Sequence, residues 1–446
     1  MSKKNVRRPA AAILTRAALA CALLAGLVPA GSAQQGGAKP AAAVHPKTAA
    51  IREATAEVLA EASEIRQLKV LRNVESGAQT REEIEQMLVR NLNENTTPEE
   101  MRASELALKK FGLAPADFEL RSFIIKLLTE QVAGYYDPKK QHFYLAEWID
   151  LDGQKPVMAH ELGHALQDQH FNLKRFEDWP KHDSDAELAA HALVEGDATV
   201  LMMHYIRRSP LRALAMLKSM ATSGPSTEQI DKAPRALRET LVFPYEQGAV
   251  WAMHVFERGG WPLISKAYTE LPKSTEQIIH PEKYFAKESP VAVAAPPDVS
   301  SLLGKGWKLA DHDVNGEWGY YLILDEFLKA KDESRRAAAG WGGDRYVLYT
   351  GPSASDVMVA HASVWDTEQD AAEFYDAYVK RTALRYPTGR KWTPGEAFAG
   401  AAWTTPEGNV LVERRGAHVL VAEGVPDTNA AFEVFKTLWK TPAAVK

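Results

Sequence analysis

The segment Pro156-Val157-Met158-Ala159-His160-Glu161-Leu162-Gly163-His164 places two histidines four residues apart around a glutamate. On a helix four residues is just over one turn, so both imidazoles leave one face about 40° apart around the axis. Two neutral imidazoles there can bind one Zn2+, with Glu161 close enough to act as base on a water molecule. Gly163, Ala159 and Ala165 keep such a helix slim enough to pack closely on another. A motif this short also arises by chance in about one such chain per hundred. The rest of the chain must therefore supply a third ligand, an anion stabiliser and a place for substrate.

The segment from Asp185 to Tyr205 is strongly helical and carries Glu187, His191 and Glu195 at steps of four. A polar stripe on a mostly apolar helix faces either solvent or a metal. Glu195 and His191 are rival third ligands, and Asp168 and Asp197 are candidates to orient a ligand imidazole. His160-Glu161-x-x-His164 followed by Glu195-Gly196-x-Ala198 resembles the gluzincins, zinc peptidases whose third ligand is a glutamate. Their aminopeptidase branch also has a Tyr-Glu-x-Gly motif, matched in order by Tyr245-Glu246-Gln247-Gly248. The resemblance spans about 130–285. It implies Zn2+ on His160, His164 and Glu195, with Glu161 as general base and Tyr245 as oxyanion stabiliser. His280, just before Pro281, is an alternative donor to the tetrahedral intermediate. The gap from His164 to Glu195 is longer than in the aminopeptidases, and no Gly-x-Met-Glu-Asn run is present. Endo- and exo-cleavage therefore both stay open. LPKSTEQIIHPEKYF together with HELGHALQDQH is also similar to uncharacterised exported bacterial proteins presumed to be metallopeptidases.

Several elements must position these residues. Thr80 with Glu83, and Thr97-Pro98 with Glu100, read as capped helix starts. Two aromatic-rich runs around Asp137-Pro138-Lys139-Lys140 predict a hairpin over 135–147, a candidate edge for a peptide backbone. Pro156 suits the first turn of the motif helix, and Asp183-Ser184 with Glu187 starts the helix carrying Glu195. Residues 286–301 read as linker-like. Beyond them DRYVLYT, DVMVAHASVW, NVLVERR and AHVLVAE predict strands, and two amphipathic helices follow the pattern of a small sheet with helices on one face. The resulting fold class is α+β. A mainly helical, zincin-like domain with a small hairpin (49–290) and a linker (291–301) precede a smaller α+β domain (302–446).

Lys3, Lys4, Arg7, Arg8 and Arg16 precede an apolar run from Ala17 to about Ala30, then small residues: an export signal over 1–33. A flexible Gly/Ala/Pro-rich linker occupies 34–48. Cleavage would remove the one cysteine, so a periplasmic or secreted chain would rely on packing and metal rather than disulfides. A net charge of −5 argues against nucleic acid as partner. The expected function is an exported zinc metallopeptidase acting on a peptide or protein. The alternatives are a catalytically degenerate binding protein and a zinc hydrolase of a cell-wall amide.

Overall fold

The structure, a computed structural model, describes residues 47–148, 150–177, 182–223, 228–394, 398–426 and 428–440. The export signal and most of the 34–48 spacer lie outside these residues. No helix among the described residues is long and apolar enough to cross a membrane.

The fold is α+β, with two sheets. Its first part runs α1 (Thr48–Arg66), β1 (Glu75–Gln79), α2 (Arg81–Asn95), α3 (Pro98–Lys110), α4 (Leu120–Gln131), β2 (Gly134–Asp137), β3 (His142–Ala146), α5 (Leu151–Phe171), α6 (Ser184–Arg207), α7 (Pro210–Ser223) and α8 (Arg235–Ala267). Thr80 and Thr97 form the reciprocal caps expected of them, with Glu83 and Glu100. Asp183 rather than Ser184 caps α6, accepting from the Ala186 N–H at 3.1 Å. The motif helix starts earlier than expected: Asp150 caps it through the Gly153 N–H, so Pro156 lies inside α5 rather than in its first turn.

The hairpin β2–β3 forms as expected, and β1 adds to it in parallel, giving the order β1-β3-β2. Its sequence, ESGAQ, has no β-branched residue and no alternation; pairing with β3 decides its conformation. Helix α5 is buried along most of its length, and α1, α6 and α7 all pack against it.

The second part contains β4 (Lys308–Asp313), α9 (Gly316–Leu328), α10 (Lys331–Ala338), β5 (Trp341–Thr350), β6 (Val357–Trp365), α11 (Glu368–Arg385), β7 (Arg390–Trp392), β8 (Ala401–Thr405), β9 (Gly408–Arg415), β10 (His418–Val425) and α12 (Thr428–Leu438). The strands form one antiparallel sheet, β4-β5-β6-β10-β9-β8-β7. Helices cover both faces, which corrects the expectation of one. Tyr346 and Leu348 point to a core with Tyr320 of α9 and Phe374 of α11. The alternate residues Val347 and Tyr349 point to a second core with Val434 and Phe435 of α12. Strands apolar on both sides need cover on both.

The chain crosses between the two parts over 286–301, yet packing continues across the junction. Leu106, Ala107 and Phe111, at the end of α3, belong to the same core as Tyr346 and Phe374. Phe111 meets Tyr346 edge-on, with ring centroids 5.4 Å apart. Buried Arg381 donates to the Phe111 carbonyl at 2.5 Å and to Glu423 at 2.6 Å. At the far end of the junction, Ser184 donates its N–H to Asp313 at 2.9 Å.

Candidate metal centre

Helices α5 and α6 bring His160, His164 and Glu195 together. The two imidazole Nε2 atoms are 3.1 Å apart, and Glu195 Oε2 lies 3.0 Å from one and 3.4 Å from the other. Three donors on one face of a tetrahedron with metal bonds of about 2.0–2.1 Å sit about 3.3–3.4 Å apart. Facing imidazole lone pairs repel unless a proton or a cation lies between them. Two imidazoles and a carboxylate are also a donor set suited to Zn2+. The side chains therefore fit that ion.

Glycine explains how α6 meets α8. A Cβ on Gly196 would fall inside contact distance of the Gly248 carbonyl, and one on Gly248 would meet the Ala192 carbonyl in the same way. The two helices thus touch backbone to backbone, one residue from Glu195 and three from Tyr245. On the other side of α6, a Cβ on Gly163 would stand 2.9 Å from Leu201 Cδ2. The small residues of the three motifs are crossing points. Half-buried Tyr245 lies with its ring centroid 6.1 Å from that of His160, the planes 28° apart.

The stripe Glu187, His191 and Glu195 is buried, at 7%, 4% and 2% exposure, so it faces inward rather than solvent. His191 Nε2 approaches Glu195 Oε1 at 3.6 Å, on the oxygen turned away from the two imidazoles. Oε2 of Glu195 thus faces the two imidazoles, and His191 lies behind it. Glu161 is 2% exposed. Its Oε2 accepts the Tyr136 main-chain N–H at 2.9 Å, while Oε1 has no partner. Tyr136 sits on β2, the edge strand, opposite Phe143. Because this N–H goes to Glu161, the unpaired side of β2 runs past that carboxylate.

Electrostatics separate the roles. Burial pushes Glu161 up to about 8, against the pull of His164. Burial works to lower His164, but the Glu195 and Glu161 carboxylates prevail and raise it to about 9. Burial would raise Glu195, yet the charge of His164 and the hydrogen bonds from both imidazoles hold it well below the usual carboxylate range. Burial lowers His160, and draws His191 down to about 4.

The remaining candidates lie elsewhere. His280 Nε2 pairs with Glu317 at 2.9 Å, which commits that nitrogen to a carboxylate of α9, while Nδ1 stands 3.8 Å from the exposed Glu282, beyond hydrogen-bond range. Asp168 orients neither ligand; it accepts from Arg72 at 2.5 Å and the Tyr136 hydroxyl at 3.0 Å, tying the hairpin to α5. Asp197 reaches His164 only through Gln167, whose side chain takes His164 Nδ1 at 2.9 Å. Gln167 was legible in principle, being three residues after His164 on the same face; the Tyr136 amide was not.

Among the described residues, two other clusters have metal-binding side chains, and neither suits an ion. His182 and His312, near Asp311, stack with planes only 18° apart at 4.0 Å, so their in-plane lone pairs cannot converge. Glu276, Glu288 and Asp366 surround the Lys283 ammonium, which bonds all three.

A family profile described as a domain of unknown function (DUF8575) matches residues 306–435, the second part of the fold, and excludes the centre on α5 and α6. No curated protein and no solved structure matches the chain significantly.

Proposed function

We propose that the protein is an exported zinc-dependent metallopeptidase that hydrolyses peptide bonds. The observation that carries this reading is the convergence of His160, His164 and Glu195 next to a buried carboxylate with one unpartnered oxygen. A Zn2+ held by the three donors would supply Lewis acidity and bring the pKa of a water molecule down towards about 7.

Glu161 then works as general base. The Tyr136 N–H fixes Oε2, leaving Oε1 to accept a proton from water and return it to the departing amine. A pKa near 8 before metal loading suits a group that must both take and give a proton. Tyr245 donates from its phenol to the oxygen that becomes negative in the tetrahedral intermediate. An extended substrate adds to the edge of β2, where main-chain hydrogen bonds are indifferent to side chains. All four residues of the centre are at most 7% exposed, so substrate entry requires the covering side chains to part.

Glu161→Gln tests the reading. The variant should retain one zinc per chain and lose about 10²–10⁴-fold in turnover on unfolded protein. Parallel digests of purified cell wall distinguish a peptidase from an amide hydrolase of another kind. Undiminished proteolysis by the variant, or a wild-type chain that binds no zinc, would remove the assignment.

A further inference from the structure

We infer that Gln167, held by the buried Arg66–Asp197 pair, fixes His164 in its Nδ1–H tautomer and makes it the pre-oriented ligand of the metal centre. This inference rests on the metal-site reading above.

The argument follows hydrogen-bond polarity along a chain of buried groups. Arg66 is a donor only, and it grips Asp197 through Nε at 2.6 Å and Nη2 at 3.1 Å. Ser265 Oγ takes the remaining Arg66 nitrogen at 3.0 Å, and the Tyr268 hydroxyl donates to Asp197 Oδ2 at 2.9 Å. The carboxylate has only acceptor atoms. It faces Gln167 at 3.0 Å, and the Val194 carbonyl, likewise only an acceptor, lies 3.1 Å from the same Gln167 nitrogen. Two acceptors around one end of the amide require the NH2 group there. Turned over, the amide would press its oxygen against both at those distances. The amide oxygen must consequently face His164 Nδ1, 2.9 Å away, and can only accept. Nδ1 therefore carries a hydrogen in either charge state, so the proton that leaves when the ring becomes neutral is the one on Nε2, whose lone pair then faces the space shared with His160 and Glu195.

His160 has no such support: its Nδ1 is buried without a partner. The two imidazoles are thus unequal at Nδ1, one set by a chain reaching α1 and the end of α8, the other held by no hydrogen bond there. Gln167 is a positioning residue, and Arg66, 101 positions earlier, acts through it.

Zinc dissociation constants of the full chain, measured by competition with a chromophoric chelator, test this directly. Gln167→Met removes the acceptor at nearly constant volume and should weaken zinc about 10–100-fold. The double variant Arg66→Met/Asp197→Leu removes both buried charges together, leaves Gln167 free to turn, and should weaken zinc to a similar degree. Nitrogen-15 spectra of the zinc-loaded protein supply a readout that loosened packing alone would not give. The Nδ1–H resonance of His164, shifted downfield by its hydrogen bond, should move upfield in Gln167→Met, while that of His160, which makes no such bond, stays in place. Wild-type affinity and an unchanged resonance in Gln167→Met would overturn the inference. Full affinity in the double variant would overturn the part assigned to Arg66 and Asp197. A wild type without zinc would instead remove the metal-site reading beneath it.

Discussion

The contact between Gly196 and Gly248 gives a prediction in which two effects of one methyl group oppose each other. In Gly196→Ala the new Cβ would lie more than 1 Å inside the ordinary carbon–oxygen separation of about 3.3 Å from the Gly248 carbonyl. Backbone cannot rotate aside as a side chain can, so α6 and α8 must separate by about 1 Å at the crossing. Overpacking of that kind costs about 1–3 kcal/mol. Replacing glycine inside a helix returns about 1 kcal/mol, leaving a net loss of about 0–2 kcal/mol. Function should suffer more than stability, because Glu195 is the adjacent residue and a misplacement near 1 Å costs about 10²-fold in rate. The assay is paired: thermal unfolding of the metal-free protein, and zinc binding with peptide hydrolysis on the same samples. Gly163→Ala is the control, since the one atom its Cβ would crowd is the tip of the Leu201 side chain, with the Ala198 backbone at an ordinary 3.7 Å. If Gly196→Ala proved more stable than wild type and bound zinc equally well, the close crossing would not be what holds Glu195 in place.

Other outcomes follow from the same geometry. Zinc must displace the proton that His164 holds up to about pH 9, so the zinc dissociation constant should fall about tenfold per pH unit between pH 6 and 8; a flat profile would contradict the raised His164. In the metal-free protein the same raised pKa means that the His164–Glu195 pair stabilises fully below the ordinary histidine pKa of 6.5 and ceases to do so as pH rises through about 9. Denaturant titrations of wild type and His164→Gln should therefore converge at alkaline pH. Tyr245→Phe should lower kcat about 10²–10³-fold with zinc content intact, and a loss confined to KM would assign Tyr245 to binding instead. Glu195→Ala should abolish stoichiometric zinc, whereas His191→Ala should only weaken it, about 10–100-fold, because His191 supports the ligand from behind.

The helices of the centre were legible because their signals are local. An aspartate cap marked the start of α6, and a four-residue step fixed which side chains share a face, although α5 begins at Asp150, ahead of the start read from Pro156. The direction faced by Glu187, His191 and Glu195 was left open between solvent and metal, and the burial of all three in the structure decides it. What stayed hidden depends on partners distant in sequence. Strand β1 forms only because β3 is available to it. Asp168 and Asp197 have the right chemistry to steer an imidazole, but Arg72 and Arg66, 96 and 131 residues away, compete for them. His280 is drawn to Glu317 of α9, a helix that the linear pattern did not reveal. Cover on both faces of the large sheet was foreshadowed by strands apolar at consecutive positions, such as Tyr346 to Tyr349.

The stretch matched by the domain profile does not end at a water-ready surface. Its sheet and helices meet Leu106 and Phe111, and the Arg381 guanidinium donates to the Phe111 carbonyl. Cut away from α3, residues 306–435 would show tyrosine and phenylalanine to solvent and open the buried Arg381–Glu423 pair to water. Any other architecture that incorporates this module must therefore bring its own substitute for the tip of α3, an aromatic side chain followed by an outward-facing carbonyl, or else fold it only as one half of a pair.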